Sequence, residues 1–212
     1  VYLGQRYAPG LFAWIIPRPD GSAKIGVATR SGDPRDYLRR FMRNHPVASK
    51  KLKKSEITSL SFHPMSLGGP IPKTYSNGLL IVGDAASQMK PTTGGGIILG
   101  LLCSKIAGEV AHEALRNNDF SEYFLSRYQS RWKKEIGFDL RVMRHIRKLL
   151  DRLSDKQMDT IVSLCTELGI NKVVEEVRDL DYQGKSLIHI IRYPNVLTLV
   201  LYTLFSSLTS LV

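Results

Sequence analysis

The stretch from Asn77 to Leu115, NGLLIVGDAASQMKPTTGGGIILGLLCSKIAGEVAHEAL, constrains this chain more than any other, because an apolar run, an acidic turn, a glycine cluster and a helical pattern follow without interruption. Leu79 to Val82 begins after the turn pair Asn77-Gly78 and stops at Gly83-Asp84, the pattern of a short central strand covered on both faces. Asp84 is then placed at the carboxyl end of that strand. Gly94, Gly95 and Gly96 lead into a helix expected to run to about Asn117, whose unpaired N-terminal amides and positive dipole end make a seat for negative charge. Gly100, Ala107, Gly108, Ala111 and Ala114 are small residues suited to close packing of this helix on the Leu79 to Val82 strand. A strand-turn-helix joint with glycines for packing alone is the competing reading of the same residues.

Upstream, Leu11 to Pro17 and Ala23 to Thr29 are apolar-rich runs joined by Arg18-Pro19-Asp20-Gly21, which predicts an antiparallel hairpin. Strand alternation sends Phe12, Trp14 and Ile16 to one face and Ala13 and Ile15 to the other. The first set forms either an apolar wall for a hydrocarbon ligand or ordinary core. Val1 to Tyr7 also reads as strand material. Asp33-Pro34 opens a helix with Asp33 as N-cap, carries Tyr37, Leu38, Phe41 and Met42 on one face, and ends at His45-Pro46, so it is expected to cover the hairpin. Ile57 to Phe62 reads as a weaker strand, and Gly68-Gly69-Pro70-Ile71-Pro72 as a loop.

From Phe120 onward the pattern is helical. Phe124, Tyr128, Trp132, Ile136, Leu140 and Met143 recur at intervals of four and three, a packing stripe flanked by arginines and lysines. Ser154 caps a helix ending near Gly169, and Asn171 to Asp179 reads as another short one. The last twenty residues, Tyr193 to Val212, are uncharged but diluted by Ser and Thr, which favours a buried C-terminal helix over interfacial attachment and, last, a membrane span.

Charge and side-chain chemistry exclude several classes. The formal charge of +11 over 212 residues is spread over several elements without a nucleic-acid motif, so no nucleic-acid partner is expected, and anionic lipid headgroups or phosphates suit the cations better. Cys103 and Cys165 have no paired spacing, and the five histidines have no ligand spacing, so neither a disulfide framework nor a metal site is expected. A reducing, cytoplasmic setting follows, with contact at the inner face of a membrane as an addition.

Two motifs resemble a known family. Gly83-Asp84-Ala85-Ala86, the short loop to Pro91, and Thr92-Thr93-Gly94-Gly95-Gly96-Ile97 resemble the second flavin motif of FAD enzymes with the p-hydroxybenzoate hydroxylase fold, most closely the geranylgeranyl reductases. Pro9-Gly10-Leu11-Phe12-Ala13-Trp14-Ile15-Ile16-Pro17 is similar to that family's substrate motif P-x-x-Y-x-W-x-F-P, with Phe12 in place of its tyrosine and Ile16 in place of its phenylalanine. The resemblance implies FAD as cofactor, held by Gly83, Asp84, Pro91, Thr93, Gly94, Gly95, Gly96 and Ile97, with Asp84 on the ribityl chain and the glycine-rich amides at the pyrimidine edge. It implies Phe12, Trp14 and Ile16 as substrate wall and identifies no acid or base among the side chains.

The expected fold class is therefore α+β. An antiparallel substrate-domain sheet (1–63) precedes the C-terminal part of an FAD-binding domain of p-hydroxybenzoate hydroxylase type (64–118) and a helical region (119–212). The expected activity is saturation of prenyl double bonds of a lipid, first among them an archaeal-type diether phospholipid precursor, with NAD(P)H or ferredoxin as external reductant. A flavin hydroxylase or electron-transferring dehydrogenase of the same fold, and a non-catalytic lipid-binding or membrane-docking fragment, are the alternatives. With no initiator Met and no G-x-G-x-x-G for the pyrophosphate, these residues are expected to be the latter part of a longer flavoprotein and not to complete the FAD site alone.

Overall fold

The computed structural model describes residues 1–175, 177 and 181–209. The chain divides into two compact units, one of residues 1–64 with 154–157, the other of residues 65–153 with 158–212. Each is built around its own core.

In the first unit, β1 (Ala13–Pro17) and β2 (Ala23–Val27) pair antiparallel with Ala13 opposite Val27 and Pro17 opposite Ala23. The turn between them is held by Asp20 Oδ1, which accepts the Ser22 N–H at 2.9 Å, and Gly21 takes the left-handed conformation that closes it. Helix α1 (Pro34–Asn44) starts as its sequence dictates, with Asp33 Oδ1 accepting the Arg35 N–H at 2.8 Å and Pro34 in the first turn. Phe41, fully buried, packs with Ala8, Ala13 and Ala48 as the heart of this unit, and Ile15, Ile25 and Val27 lean on the cluster. A short helix, α2 (Ala48–Lys51), follows.

The hairpin's alternation has a consequence for function. Ala13 and Ile15 face the core, whereas Phe12 and Trp14 are only partly buried and Ile16 is exposed. The rings of Phe12 and Trp14 lie 5.7 Å apart. Trp14 is opposite Gly26, and a Cβ on Gly26 would come within 2.0 Å of the indole, so the ring lies flat across bare backbone. That aromatic face is not spent on the unit's own core.

Two strand expectations fail in this unit. Ile57 to Phe62 forms no strand, and Val1 to Tyr7 contributes only a single bridge, Tyr2 to Ala13. Their apolar residues have strand propensity, but no neighbouring backbone offers Ile57 to Phe62 a ladder, and strand propensity without pairing carries little weight.

The second unit is helical around one small hairpin. β3 (Tyr75–Ser76) and β4 (Leu79–Leu80) pair antiparallel. α3 (Ile97–Asn117) and α4 (Glu122–Leu150) pack along each other, joined by a turn in which Asn118 adopts the left-handed conformation and Ser121 caps α4 through Phe124 N–H. The stripe Phe124, Tyr128, Trp132, Ile136, Leu140 and Met143 is buried as its periodicity dictates, against Leu99, Cys103, Ala107, Val110 and Ala114 of α3. Leu79 to Val82 is not a central strand. Leu79 and Leu80 pair with Ser76 and Tyr75, and Ile81 N–H adds a bond to Thr74 O at 2.8 Å, so the run has one neighbour on one edge, and Leu79 is about half exposed. The small residues of α3 serve mainly α4; Gly108 meets nothing, and Ile97, Ile98 and Leu101 are exposed.

Helices α5 (Asp155–Glu167), α6 (Ile170–Glu175), α7 (Gln183–Ile190) and α8 (Pro194–Thr209) complete the chain. Ser154 caps α5 through the Gln157 N–H, and Gly169 turns the chain after it. The Asn171 to Asp179 helix is seen through Glu175; 176 and 178–180 lie outside the described residues, as do 210–212 of the C-terminal stretch. α8 is buried on one face only: Val196, Leu199 and Val200 pack in a cluster with Ile170 and Val173, and Ser206 and Ser207 are buried, while Leu197, Leu201, Leu204, Phe205 and Leu208 are exposed. No single helix among the described residues is long and apolar enough to cross a membrane, although α7 and Pro194–Leu208 pass that test together as a pair bent by 117°.

Candidate functional site

The site is built from a tight turn fitted against a helix start. After β4 the chain turns through a 3-10 turn, Gly83–Ala86, in which Gly83 has a positive φ, and Ser87 follows in the left-handed conformation. That turn presents Asp84 to solvent at the beginning of α3. The approach is close: a Cβ on Gly96 would lie 2.7 Å from Asp84 Oδ1 and 3.2 Å from Met89 Cβ, so any side chain at the helix N-cap would push the carboxylate aside. Gly96 offers no side-chain cap, and the first backbone bond into α3 is Gly100 N–H to Gly96 O at 2.7 Å, leaving the first-turn amides available. Gly83, Asp84, Gly94, Gly96, Ile97 and Gly100 line a cavity of about 440 Å³.

The glycine loop is tied at its base. Lys90 N–H donates to Gly95 O at 2.9 Å and Gly94 N–H returns to Lys90 O at 2.8 Å, with Thr93 Oγ1 accepting from Gly95 N–H. Gly94 has a positive φ, and a Cβ there would strike Met65 Sδ. Lys90 Nζ reaches Asp181 at 2.5 Å and Thr92 Oγ1 donates to Gln183 Oε1 at 2.6 Å, so Asp181 and the first residue of α7 strap the loop from outside.

The nine-residue span Gly83 to Pro91 is further held by a network that no sequence pattern announces. Gln88, fully buried, accepts the Gly83 N–H on Oε1 at 2.8 Å, and its amide donates to Tyr128 Oη at 2.9 Å. Tyr128 Oη in turn donates to Ile81 O at 3.1 Å. Burial pushes the Tyr128 hydroxyl up to about 12, with the Gln88 contact opposing, so it stays protonated and keeps its donor. Tyr128 was legible only as a member of the packing stripe, and Gln88 not at all; their contact spans forty residues of sequence.

Of the residues implicated by the flavin-like motif, Gly83, Asp84, Gly94, Gly96 and Ile97 meet at the cavity. Pro91 is buried beneath the loop, Thr93 folds back on Gly95, and Gly95 itself packs on Lys90. Phe12, Trp14 and Ile16 belong to the other unit. Chemically, the cavity offers a carboxylate acceptor and backbone donors side by side. The Asp84 carboxylate already answers part of the helix's positive end, so the seat suits a ligand bringing both hydroxyl donors and polar acceptors better than a bare anion. Cys103 is not available for chemistry, since burial raises its thiol to about 12. Glu113 is held below the usual carboxylate range by its paired hydrogen bonds with Arg131, at 2.7 and 2.8 Å, and staples α3 to α4.

These features, two small antiparallel sheets in a helix-rich chain, are those of the geranylgeranyl reductase-like fold: a crystal structure of a geranylgeranyl bacteriochlorophyll reductase-like protein from Thermoplasma acidophilum matches with a TM-score of 0.73 and 27% identity, over 93% of this chain and 48% of that one. No family model matches the chain. Digeranylgeranylglycerophospholipid reductase 2 of Methanothermobacter thermautotrophicus is 40% identical over 166 residues, 76% of this chain and 41% of the relative. The digeranylgeranylglycerophospholipid reductase of Methanocaldococcus jannaschii is 39% identical over 182 residues, 83% of this chain and 46% of the relative. The chain belongs to the geranylgeranyl reductase family, and it spans about half the length of these relatives.

Replacing Tyr128 by Phe keeps the ring in the core but strands the Gln88 amide and the Ile81 carbonyl. We expect a loss of about 1–3 kcal/mol in urea unfolding; an unchanged midpoint and slope would show that the network does not hold the turn.

Proposed function

We propose that this chain is the substrate-facing and flavin-facing part of an FAD-dependent reductase that saturates geranylgeranyl double bonds of a lipid, an archaeal-type diether phospholipid precursor. The observation that carries this reading is the fit of Asp84 against Gly96 at a glycine-lined cavity, in a chain whose relatives are named digeranylgeranylglycerophospholipid reductases. In this reading residues 1–63 contribute to the substrate domain, 64–118 to an FAD domain of p-hydroxybenzoate hydroxylase type, and 119–212 form a helical region.

The residues present fit the cofactor. The Asp84 carboxylate has no hydrogen-bond partner among the described residues and is free to accept from ribityl hydroxyls. The α3 first-turn amides would donate to the acceptor edge of the ring, a contact worth roughly 1 kcal/mol toward negative charge. Gly94 and Gly96 leave the backbone bare where a side chain would fill the space. Pro91, Thr93 and Gly95 act from behind by fixing the loop. When bound, reduced FAD supplies the hydride that, together with a proton, saturates the double bond. Phe12, Trp14 and Ile16 would hold the prenyl chain by apolar contact, and no side chain is assigned as proton donor. Electrons would come from an external reductant, NAD(P)H or ferredoxin.

Replacing Asp84 with Ala should lower the flavin retained by the full-length protein by about tenfold, the equivalent of one charge-assisted hydrogen bond. Flavin absorbance after desalting measures it, and an unchanged flavin-to-protein ratio would remove Asp84 from the site.

The same reading includes peripheral contact with a membrane. The outward stripe of α8 from Leu197 to Leu208 and the cationic surface are the two elements of interfacial binding, apolar burial and attraction to anionic headgroups. Co-sedimentation with vesicles containing phosphatidylglycerol should weaken as salt rises and should fall further in Leu201→Ser/Phe205→Ser. Retention by the double variant equal to that of the parent would sink the α8 contact.

A further inference from the structure

A second cavity of the same unit has no role in the reading above. It measures about 280 Å³ and lies between the loop Gly69 to Pro72 and one face of α4. Its floor is apolar, made by Pro70, Ile71, Trp132 and Leu140, and its rim is cationic, made by Lys133, Arg141 and Arg144. Positions 133, 137, 140, 141 and 144 recur at helical spacing, so the cleft opens along the edge of the α4 stripe, which lends it Trp132 and Leu140. Gly137 contributes bare backbone between the cations.

The cleft is a built feature of the fold. Trp132 is buried and its indole N–H donates to Thr74 Oγ1 at 3.0 Å, while Gln129 Oε1 accepts both the Thr74 N–H and hydroxyl at 2.9 and 3.1 Å. Ile71 N–H donates to Ala86 O at 3.1 Å, which joins the loop to the turn that carries Asp84. Arg144 packs against Gly69, where a Cβ would lie 3.3 Å from its Cδ.

The charges of the rim are uncompensated. Several cations of this unit are paired, Lys73 with Glu122, Arg131 with Glu113, Arg147 with Asp151. Among the described residues Lys133, Arg141 and Arg144 have no carboxylate partner. Three exposed cations lining one cavity draw an anion to it, and the two arginines offer forked donors suited to a phosphate. An apolar floor beneath such a rim selects a phosphate that carries hydrocarbon. We infer that this cleft binds the phosphate headgroup of a glycerophospholipid, with the start of its chain on Pro70, Ile71 and Trp132. The volume, just under the roughly 300 Å³ at which small-molecule sites begin, accommodates a headgroup and not a whole diether lipid.

The phosphate site is read from the cleft itself; its assignment to a phospholipid rests on the proposed function. The test is therefore binding without flavin or turnover. The full chain is titrated with inorganic phosphate, glycerol phosphate and a monomeric short-chain phosphatidylglycerol, followed by isothermal titration calorimetry at fixed salt. Phosphatidylglycerol should bind tightest, and Arg141→Gln/Arg144→Gln should weaken it by about tenfold or more, while the charge-matched Lys50→Gln/Lys53→Gln stays within about twofold. Equal weakening in both pairs, or no binding of any probe, would overturn the cleft as a phosphate site. Equal affinity for inorganic phosphate and the phospholipid would overturn the lipid assignment. Loss of flavin or of reductase activity elsewhere in the protein would leave all of these readings unchanged, so the two proposals fail separately.

Discussion

The close approach of the Asp84 turn to the N-terminus of α3 is the constraint on which the rest of the second unit depends. A carboxylate holds this position against the helix cap when the cap has no side chain to displace it, the turn takes a positive φ at Gly83, and the turn cannot drift. Gly96 and Gly83 meet the first two conditions locally. The third is met at long range, by the Gln88 and Tyr128 network, and Tyr128 stands on α4. A surface-exposed turn is thus anchored by a buried polar chain in which each donor has an acceptor, the condition under which such networks stabilise and do not cost stability.

α4 links the parts. One face packs on α3, Tyr128 holds the 83–88 turn, Gln129 and Trp132 hold Thr74 and the loop before it, and Asp139, fully buried, accepts the Lys185 N–H at the start of α7 at 2.8 Å. The residues nearest the glycine cavity therefore owe their positions to a helix that contributes no lining residue to it. Substitutions in α4 are expected to act on the cavity through position, and the cleft above Trp132 shares the same anchor.

Much of this was legible because local rules decide it. The hairpin of the first unit follows from a turn sequence and alternation, α1 from an N-cap aspartate and a proline, α3 from the glycines before it, α4 from a six-residue stripe. Of the eight residues that the resemblance to the flavin motif implied, Gly83, Asp84, Gly94, Gly96 and Ile97 share one cavity, and Pro91, Thr93 and Gly95 do not line it. What was not legible depends on distant partners. Leu79 to Val82 has the composition of a buried strand, but composition does not say how many neighbours a strand has, and here it has one. Ile57 to Phe62 lacks even that. In α8 a leucine-rich run looks like core throughout, yet Val196, Leu199 and Val200 turn inward, while Leu197, Leu201, Leu204 and Leu208 face out. Gln88 is an unremarked loop residue until the Tyr128 hydroxyl is brought to it.

The central proposal is that the Asp84 cavity and the Phe12, Trp14 and Ile16 face serve the saturation of prenyl double bonds. The most direct measurement is mass spectrometry of a geranylgeranyl diether phospholipid incubated with the flavin-loaded full-length protein and a strong reductant under anaerobic conditions. The expected result is a ladder of products, each heavier by about two daltons per bond reduced, that disappears when flavin is withheld. Quantitative recovery of unreduced lipid, with flavin bound and reduced throughout, would contradict the account.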